Sequence, residues 1–513
     1  MAGTRAQRRA DRGRIQVDVG AVFDLVGGLL KWVGLAFLAP AVVALFAHEP
    51  AWPFLVGGVA TTATGLLLDR ITHDRDEGLI GPREGLMVVA MIWLLVPLFG
   101  AIPFLVGSVP GLGRPVDAYF ESVSGFTATG ATVLKDIEHI GDAMQFWRQL
   151  SHWLGGMGII VLAVAILPRL RIGGRQLLQT ELAGPTEIEK LSATIRETAR
   201  RLWTLYLSLT LVFTAILAVI GWTGLDPAMD VFQAFSHASS AMALGGFSPK
   251  NQSVAAFAPI TQWVLCLVML IAGVNFLRLH RLFVRREVKF LAHDEEIRLY
   301  FAFLAVGALL LLAELWGDGI AGGESAVRLA TFQAVSVMTT TGFATGDWTL
   351  WGPLATMTLL LLMFIGASAG STGGAIKVVR HLLLFRIVRR ELVQTTHRSA
   401  VVPVRVNGIA VDEKALRSAI VFVLLYLVIF ALGSLGLVID ADRTGSELTV
   451  FEAIGASASC IGNVGPAFGV AGPFGNYSSF SDLSTWILSM LMWLGRVEII
   501  PVVVLLTRSF WKA

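Results

Sequence analysis

The chain has 513 residues, of which 55% are hydrophobic and only 15% charged, and its mean hydropathy is +0.70. Soluble domains carry about 25% charged residues, so this composition excludes a water-soluble globular protein and points to an integral membrane protein. The net charge of +3 says little by its size, but the placement of the charges is informative.

In chain order, the first 14 residues, MAGTRAQRRADRGR, are basic. No short apolar region with a small-residue cleavage site follows, so residues 1–21 are expected to form a cytoplasmic tail and not a signal peptide. A bilayer core about 30 Å thick needs roughly 20 apolar residues to cross, and two leading helices of that kind are predicted at 22–47 and 51–69. Eight further long helices follow in pairs: 83–106 with 147–168, 200–222 with 257–284, 297–317 with 351–390, and 414–439 with 482–508. Lys and Arg crowd into the tail and into 168–201, 278–298 and 377–417, whereas the alternate loops hold little beyond Arg114, Lys135, Lys250, Arg328 and Arg443. By the positive-inside rule the basic segments and the N-terminus are cytoplasmic. Because the basic runs flank spans, a nucleic-acid surface is excluded. Cys266 and Cys460 both fall within apolar segments, which argues against a disulfide framework.

Between the helices of each pair lies a short semi-polar helix and then an odd stretch: GFTATGATVL (125–134), SAMALGGFSP (240–249), MTTTGFATGD (338–347) and SCIGNVGPAF (459–468). The short helices open at Phe120, Phe235, Phe332 and Phe451, and the key glycines Gly130, Gly245, Gly342 and Gly462 follow at ten residues in three units and eleven in the last. The returning helices also match, WLGGMGIIV (153–161) against WLGRVEIIP (493–501). Repetition at about 100 residues implies pseudo-symmetric units. The expected architecture is therefore an all-α polytopic membrane protein. Four helix–pore-helix–helix units (76–175, 176–290, 291–400 and 401–513) surround one pore, behind two leading transmembrane helices within 22–75. Irregular backbone at membrane depth is tolerated where it is buried in protein or lines water. Four such stretches converging on an axis can replace a cation's hydration shell with carbonyl oxygens. Turns between helix pairs, or helix-packing glycines, explain one copy more easily than four at matched spacing.

These motifs, TATGATV, ALGGFSP, TTTGFATG, CIGNVGP, GASAGSTGGAIKVVR and WLGRVEIIP, resemble those of the TrkH branch of the Trk/Ktr/HKT superfamily of potassium transporters, over nearly the whole chain. The two leading helices favour the TrkH/TrkG type over the shorter KtrB type. The resemblance implies a single-file potassium filter at Gly130, Gly245, Gly342 and Gly462, flanked by Thr129, Leu244, Thr341, Ile461 and Asn463. It also implies potassium as the transported ion, a homodimer in the bacterial inner membrane, and a cytosolic TrkA-like nucleotide-binding subunit. The basic segments are the candidate docking surface for that subunit, since this chain has no nucleotide motif of its own.

Two further constellations stand out. IGASAGSTGGAIK (365–377) interrupts the longest helix with Gly370, Ser371, Thr372, Gly373 and Gly374, residues of poor helix propensity; Lys377 follows. By residue chemistry alone this is either a close helix-packing patch with a snorkelling lysine or a helix break. A nucleotide P-loop is excluded by the Gly-to-Lys spacing. The resemblance implies a gating loop beneath the filter. Arg496 lies mid-helix in an apolar span, with Glu498 two residues on. Such an arginine costs about 2.5–3.5 kcal/mol to insert, so it faces a polar interior. Either it bridges to a core carboxylate or, as the resemblance implies, it is a barrier in the pore below the filter. Asn275 sits at the comparable place in the second unit, within reach of the gating loop. The rival function is a cation-coupled secondary transporter with alternating access. An intramembrane enzyme is excluded by the absence of HExxH, GxSxG or a His/Asp metal-ligand pair in the spans.

Overall fold

The computed structural model describes residues 17–72, 81–158, 195–288, 291 and 293–511. The basic tail up to residue 16, most of the basic segment 168–201 and the part of the expected helix 147–168 beyond residue 158 lie outside the described residues. Among those described, six helices are long and apolar enough to cross a membrane, or seven if one bent pair counts as a span.

The leading pair comprises α1 (Val19–Ala36), α2 (Leu38–Phe46) and α3 (Trp52–Thr72). Asp18 caps α1 through its carboxylate, and α1 and α2 are in line as one span interrupted at Phe37. Helices cross closely in a membrane where small residues let the backbones meet. Gly27 and Gly65 face each other at such a crossing: a Cβ on Gly27 would stand 2.8 Å from Gly65 O, and one on Gly65 would stand 2.7 Å from Gly27 O. Lys31 and Asp69 pair at 3.1 Å across the same contact.

The first unit holds α4 (Pro82–Gly100), α5 (Ile102–Val106), the short helix α6 (Pro115–Phe126) and the returning helix α7 (Asp142–Gly156). The second holds α8 (Ile195–Trp222), α9 (Val231–Ala243), α10 (Pro259–Ala272) and α11 (Phe276–Phe283). Helix 257–284, expected as one piece, is instead bent by 108° between α10 and α11. The bend follows from Gly273 and from Asn275, whose side chain accepts from Leu277 N and Arg278 N and starts a new helix there.

The third unit holds α12 (Glu295–Gly317), α13 (Gly323–Met338), α14 (Pro353–Met363) and α15 (Val378–Thr396). The segment 364–377 between α14 and α15 is not helical, as its glycines predict. A two-residue hairpin, Arg405–Val406 with Ile409–Ala410, precedes the fourth unit. That unit holds α16 (Glu413–Thr444), α17 (Val450–Gly462), α18 (Asp482–Arg496), α19 (Ile500–Leu505) and the terminal turn α20 (Arg508–Trp511). Its expected helix 482–508 is likewise broken, at Glu498 and Ile499, both at positive φ, 63° and 57°.

The units close in chain order. The returning helix of each packs against the short helix of the next: α7 on α9, α10 on α13, α14 on α17, and α18 on α6. The short helices α6 and α9 are buried over most of their length, although each is too short to span. Large apolar side chains such as Leu66, Leu211, Leu309, Leu361 and Leu424 are exposed on the outer helices, as lipid contact requires.

The α1–α3 crossing supports a direct test. Gly65→Val is expected to lower the melting temperature in detergent, since overpacking costs about 1–3 kcal/mol. It is remote from the central loops, so ion selectivity is expected to be unchanged; thermal unfolding and flux measurements together check both.

Candidate ion pathway and its loop

Each short helix ends by turning left-handed. The residues that turn are Ala128, Leu244, Thr340 and Asn463, at φ between 51° and 63°. Two residues later stands a glycine at positive φ: Gly130 (86°), Gly246 (81°), Gly342 (79°) and Gly465 (102°). The two turns in each stretch reverse the chain out of the helix within three residues.

These four glycines also lock the units together. A Cβ on Gly130 would collide with Gly245 O, one on Gly246 with Thr341 O, one on Gly342 with Val464 O, and one on Gly465 with Thr129 O. The contacts run from the first unit to the second, third and fourth and back to the first. All four glycines border one cavity on the far side from the 364–377 segment, with Arg148, Phe247 and Tyr477 also on its wall.

This arrangement shifts the expected register. Gly130 and Gly342 stand where the sequence spacing places them. Gly245 and Gly462 do not take positive φ; the equivalent places belong to Gly246 and Gly465. Measured back eight residues from each left-handed turn, the equivalents of Phe120 and Phe332 are Ser236 and Gly455, not Phe235 and Phe451. The turn at the helix end defines the register, and the aromatic at the helix start does not. The residues missed were Gly246, Val464 and Gly465. The adjacent glycines at 245–246 and the GxxG of Gly462 and Gly465 were the available signal.

The remaining candidates fall into place around the ring. Thr129 Oγ1 lies 2.7 Å from Thr127 Oγ1, and Thr341 Oγ1 lies 2.8 Å from Thr339 Oγ1, so both hydroxyls are held behind their loops. Leu244 and Asn463 are the left-handed residues of their units, and Ile461 and Gly462 end α17. Asn463 Nδ2 donates to Thr129 Oγ1 at 3.0 Å and to Met492 O at 2.9 Å, joining the fourth unit to the first.

On the opposite side the 364–377 segment is bonded to the loops themselves. Gly374 N donates to Thr340 Oγ1 at 2.7 Å, and Thr372 Oγ1 donates to Met242 O at 3.1 Å. A Cβ on Gly373 would lie 2.8 Å from Thr339 O, and one on Gly374 would overlap Gly462 O. Gly370 takes φ 75°, Ser371 bonds back to Ser368 O at 2.7 Å, and Lys377 Nζ donates to Gly373 O, folding the segment on itself. The bend between α10 and α11 clamps its start. Asn275 Nδ2 donates to Ala369 O at 2.5 Å, Phe276 N to Gly370 O at 3.1 Å, and Ser368 N to Gly273 O at 3.0 Å. Glu296 accepts Ala369 N at 2.7 Å and holds Arg278, which also pairs with Asp294.

Arg496 joins the same construction. Its guanidinium donates to Thr372 O at 2.6 Å and to Gly155 O at 2.7 Å, and it borders a cavity with Gly156, Gly370 and Lys377. Glu498 pairs with Arg380, so the carboxylate expected beside Arg496 is engaged elsewhere.

A family model described as TrkH, cation transport protein, matches residues 54–512. The chain belongs to the TrkH family of cation transport proteins. It is 35% identical over 497 residues to the Trk system potassium uptake protein TrkH of Halomonas elongata, spanning 96% of this chain and 99% of that protein. It is 37% identical over 507 residues to TrkH of Vibrio parahaemolyticus, with 96% and 99% covered. To the potassium uptake protein TrkG of Escherichia coli it is 32% identical over 500 residues, with 95% and 97% covered. The crystal structure of the potassium transporter TrkH from Vibrio parahaemolyticus superimposes with a TM-score of 0.84 at 32% identity, covering 96% of this chain and all of that one. Four pseudo-symmetric units around one pore are thus the fold of this multi-pass membrane protein, and its class is transport, not catalysis.

The clamp on the 364–377 segment is testable without any transport assay. Asn275→Ala leaves Ala369 O unbonded, at a cost of about 1–3 kcal/mol for a buried acceptor. Amide exchange across 366–377 is expected to rise by roughly tenfold or more while exchange in α13 stays unchanged, as hydrogen-exchange mass spectrometry would record.

Proposed function

We propose that this chain takes up potassium across the bacterial inner membrane through a pore whose selectivity filter is the ring of four loops. The observation that carries the reading is the closed, fourfold contact of a positive-φ glycine in each unit against a carbonyl of the next. Thr129, Gly130, Gly245, Gly246, Thr341, Gly342, Val464 and Gly465 make these contacts, with Leu244, Ile461, Gly462 and Asn463 at the turns behind them. Carbonyl oxygens on a common axis replace a dehydrated cation's water. The short helices present the negative ends of their dipoles to that axis, which favours cations over anions. Potassium then moves down its electrochemical gradient, driven by about 2.3 kcal/mol per elementary charge per 100 mV.

The segment with Gly370, Ser371, Thr372, Gly373, Gly374 and Lys377 is the gate. It is bonded to the inner side of the loops, and Asn275 and Arg496 latch it. Arg496 adds a fixed positive charge to the inner pathway. Control of the gate comes from a TrkA-like cytosolic nucleotide-binding subunit. Its docking surface is the basic end of the molecule, where Arg285, Arg286, Arg389, Arg398, Lys414 and Arg417 are exposed. The N-terminus is cytoplasmic, the protein is a homodimer, and the units divide near 175, 290 and 400.

Flux of potassium and sodium into liposomes holding purified protein, with and without the cytosolic partner, tests the whole reading. Potassium-selective unitary currents support it. Saturable flux without unitary currents would instead support alternating access. Two variants sharpen the test. In Gly246→Ala the new methyl meets Thr341 O, so the potassium-to-sodium permeability ratio is expected to fall; an unchanged ratio in folded protein removes Gly246 from the filter. Arg496→Ala is expected to raise flux. At an effective dielectric near 20 a unit charge about 6 Å away raises a cation's energy by roughly 3 kcal/mol, or about a hundredfold in rate. The same substitution releases the bond to Thr372 O. Wild-type or lower flux, normalised to folded protein, would overturn the barrier role.

A further inference from the structure

The four junctions between units are not chemically alike. Of the returning helices α7, α10, α14 and α18, only α7 carries a charged residue within its middle turns, Arg148. In the alignment of 153–161 with 493–501 its counterpart in α18 is Leu488, and that of His152 is Met492; both counterparts are buried and apolar. Arg148 is fully buried, as is Glu121 on α6, and Arg148 Nε donates to Glu121 Oε1 at 2.8 Å. An ion pair so deeply enclosed contributes little by its own attraction, because desolvation offsets the gain. What it contributes is a fixed geometry for whatever its two ends hold.

Each end holds a different loop. Glu121 accepts Val133 N at 3.1 Å and the Thr132 hydroxyl at 2.9 and 3.0 Å, fixing the outer limb of the first loop. Arg148 lays its guanidinium 4.0 Å from the centre of the Phe247 ring, directly after Gly246 in the second loop. Such a cation–π contact strengthens when both partners leave water. One turn further along α7, the His152 ring stacks on Phe247 with centres 4.0 Å apart and planes 7° from parallel. His152 Nδ1 accepts Phe247 N at 3.4 Å and lies 3.2 Å from Ser240 Oγ on α9. A Cβ on Gly245 would collide with this ring, which is a reason for glycine at 245 although its φ is not positive.

Among the described residues the corresponding supports elsewhere carry no buried ion pair, although the His237 ring also lies 5.7 Å from that of Phe343 in the third loop. At the position equivalent to Glu121, His237 meets Ser248 at 2.9 Å, and Gln333 donates to Phe343 O at 3.0 Å. In the fourth unit that position is Ala456, and Glu452, one turn earlier, accepts Val470 N at 3.0 Å.

We propose that Glu121, Arg148 and Phe247, backed by His152, are positioning residues that set the register of the first filter loop against the second and thereby the discrimination between potassium and sodium. The proposal rests on the reading of the four loops as a filter. The Gly130–Gly245 contact lies directly inside this latch, so a slip there changes the spacing of the carbonyls at one side of the ring. The pair acts through the loops it holds.

The test is the potassium-to-sodium permeability ratio, from reversal potentials of purified full-length protein in planar bilayers, with melting temperature measured alongside. Arg148→Gln and Phe247→Leu are each expected to lower the ratio by about tenfold, equivalent to about 1.4 kcal/mol of discrimination, while still conducting. The double variant is expected to match the worse single one, because both break one linkage. Arg148→Lys, which keeps the charge but loses the planar fork, is expected to fall between. If Arg148→Gln does not insert, Phe247→Leu and Arg148→Lys carry the same comparison. A lowered melting temperature with the wild-type ratio would show a merely structural role and overturn the proposal, as would fully multiplicative effects in the double variant. Failure of the filter reading looks different: the wild-type protein itself would not distinguish the two ions, and the proposal would fall with it.

Discussion

The close approach of four glycines to four carbonyls is the constraint on which the rest of the molecule depends. Each approach requires a residue without a Cβ on one unit and an inward-placed backbone oxygen on the next. To reach it, Ala128, Leu244 and Thr340 adopt a left-handed conformation that costs an L-residue roughly 1–2 kcal/mol. Cap hydrogen bonds from Thr129 N to Ser124 O, Gly245 N to Ser240 O and Thr341 N to Ser336 O offset part of that strain. It persists because the short helices ending at these residues are buried and because each is pressed by the returning helix of the neighbouring unit. The outer helices, the leading pair and the lipid-facing leucines are the frame that keeps four strained turns on one axis.

The segment below the ring is built on a different principle. Besides the close approach of Gly373 and Gly374 to Thr339 O and Gly462 O, 364–377 is held by hydrogen bonds to Met242 O and Thr340 Oγ1 and from Asn275 and Arg496, the last of which also donates to Gly155 O. The same clamp extends outward through Asn275 and Arg278 to Asp294 and Glu296, next to the exposed basic end. A movement of α11 there bears directly on Ala369 and Gly370, through Asn275 Nδ2 and Phe276 N.

Much of this was legible in the sequence by itself. Long apolar runs separated by alternately basic and neutral loops determine a multi-pass protein, because burying charge in lipid is costly whatever the fold. Four small-residue stretches at similar spacing determine four repeated units, and the glycines of 370–374 determine a broken helix through their poor propensity. Arg496 within an apolar span announces a polar interior, since lipid would reject it.

What tertiary structure alone decided was register and partnership. Helix-start phenylalanines cannot reveal where a helix end turns left-handed, so Gly246 and Gly465 emerged only when neighbouring loops met. The bend at Gly273–Asn275 arises because Asn275 finds Ala369 O from another unit, a contact 94 residues away. Sequence proximity pairs Arg496 with Glu498, yet Glu498 meets Arg380 and Arg496 meets two carbonyls. Local pattern fixes which residues enter the membrane; long-range packing selects their partners, because hydrogen bonds and steric closure depend on distances that the linear order does not contain.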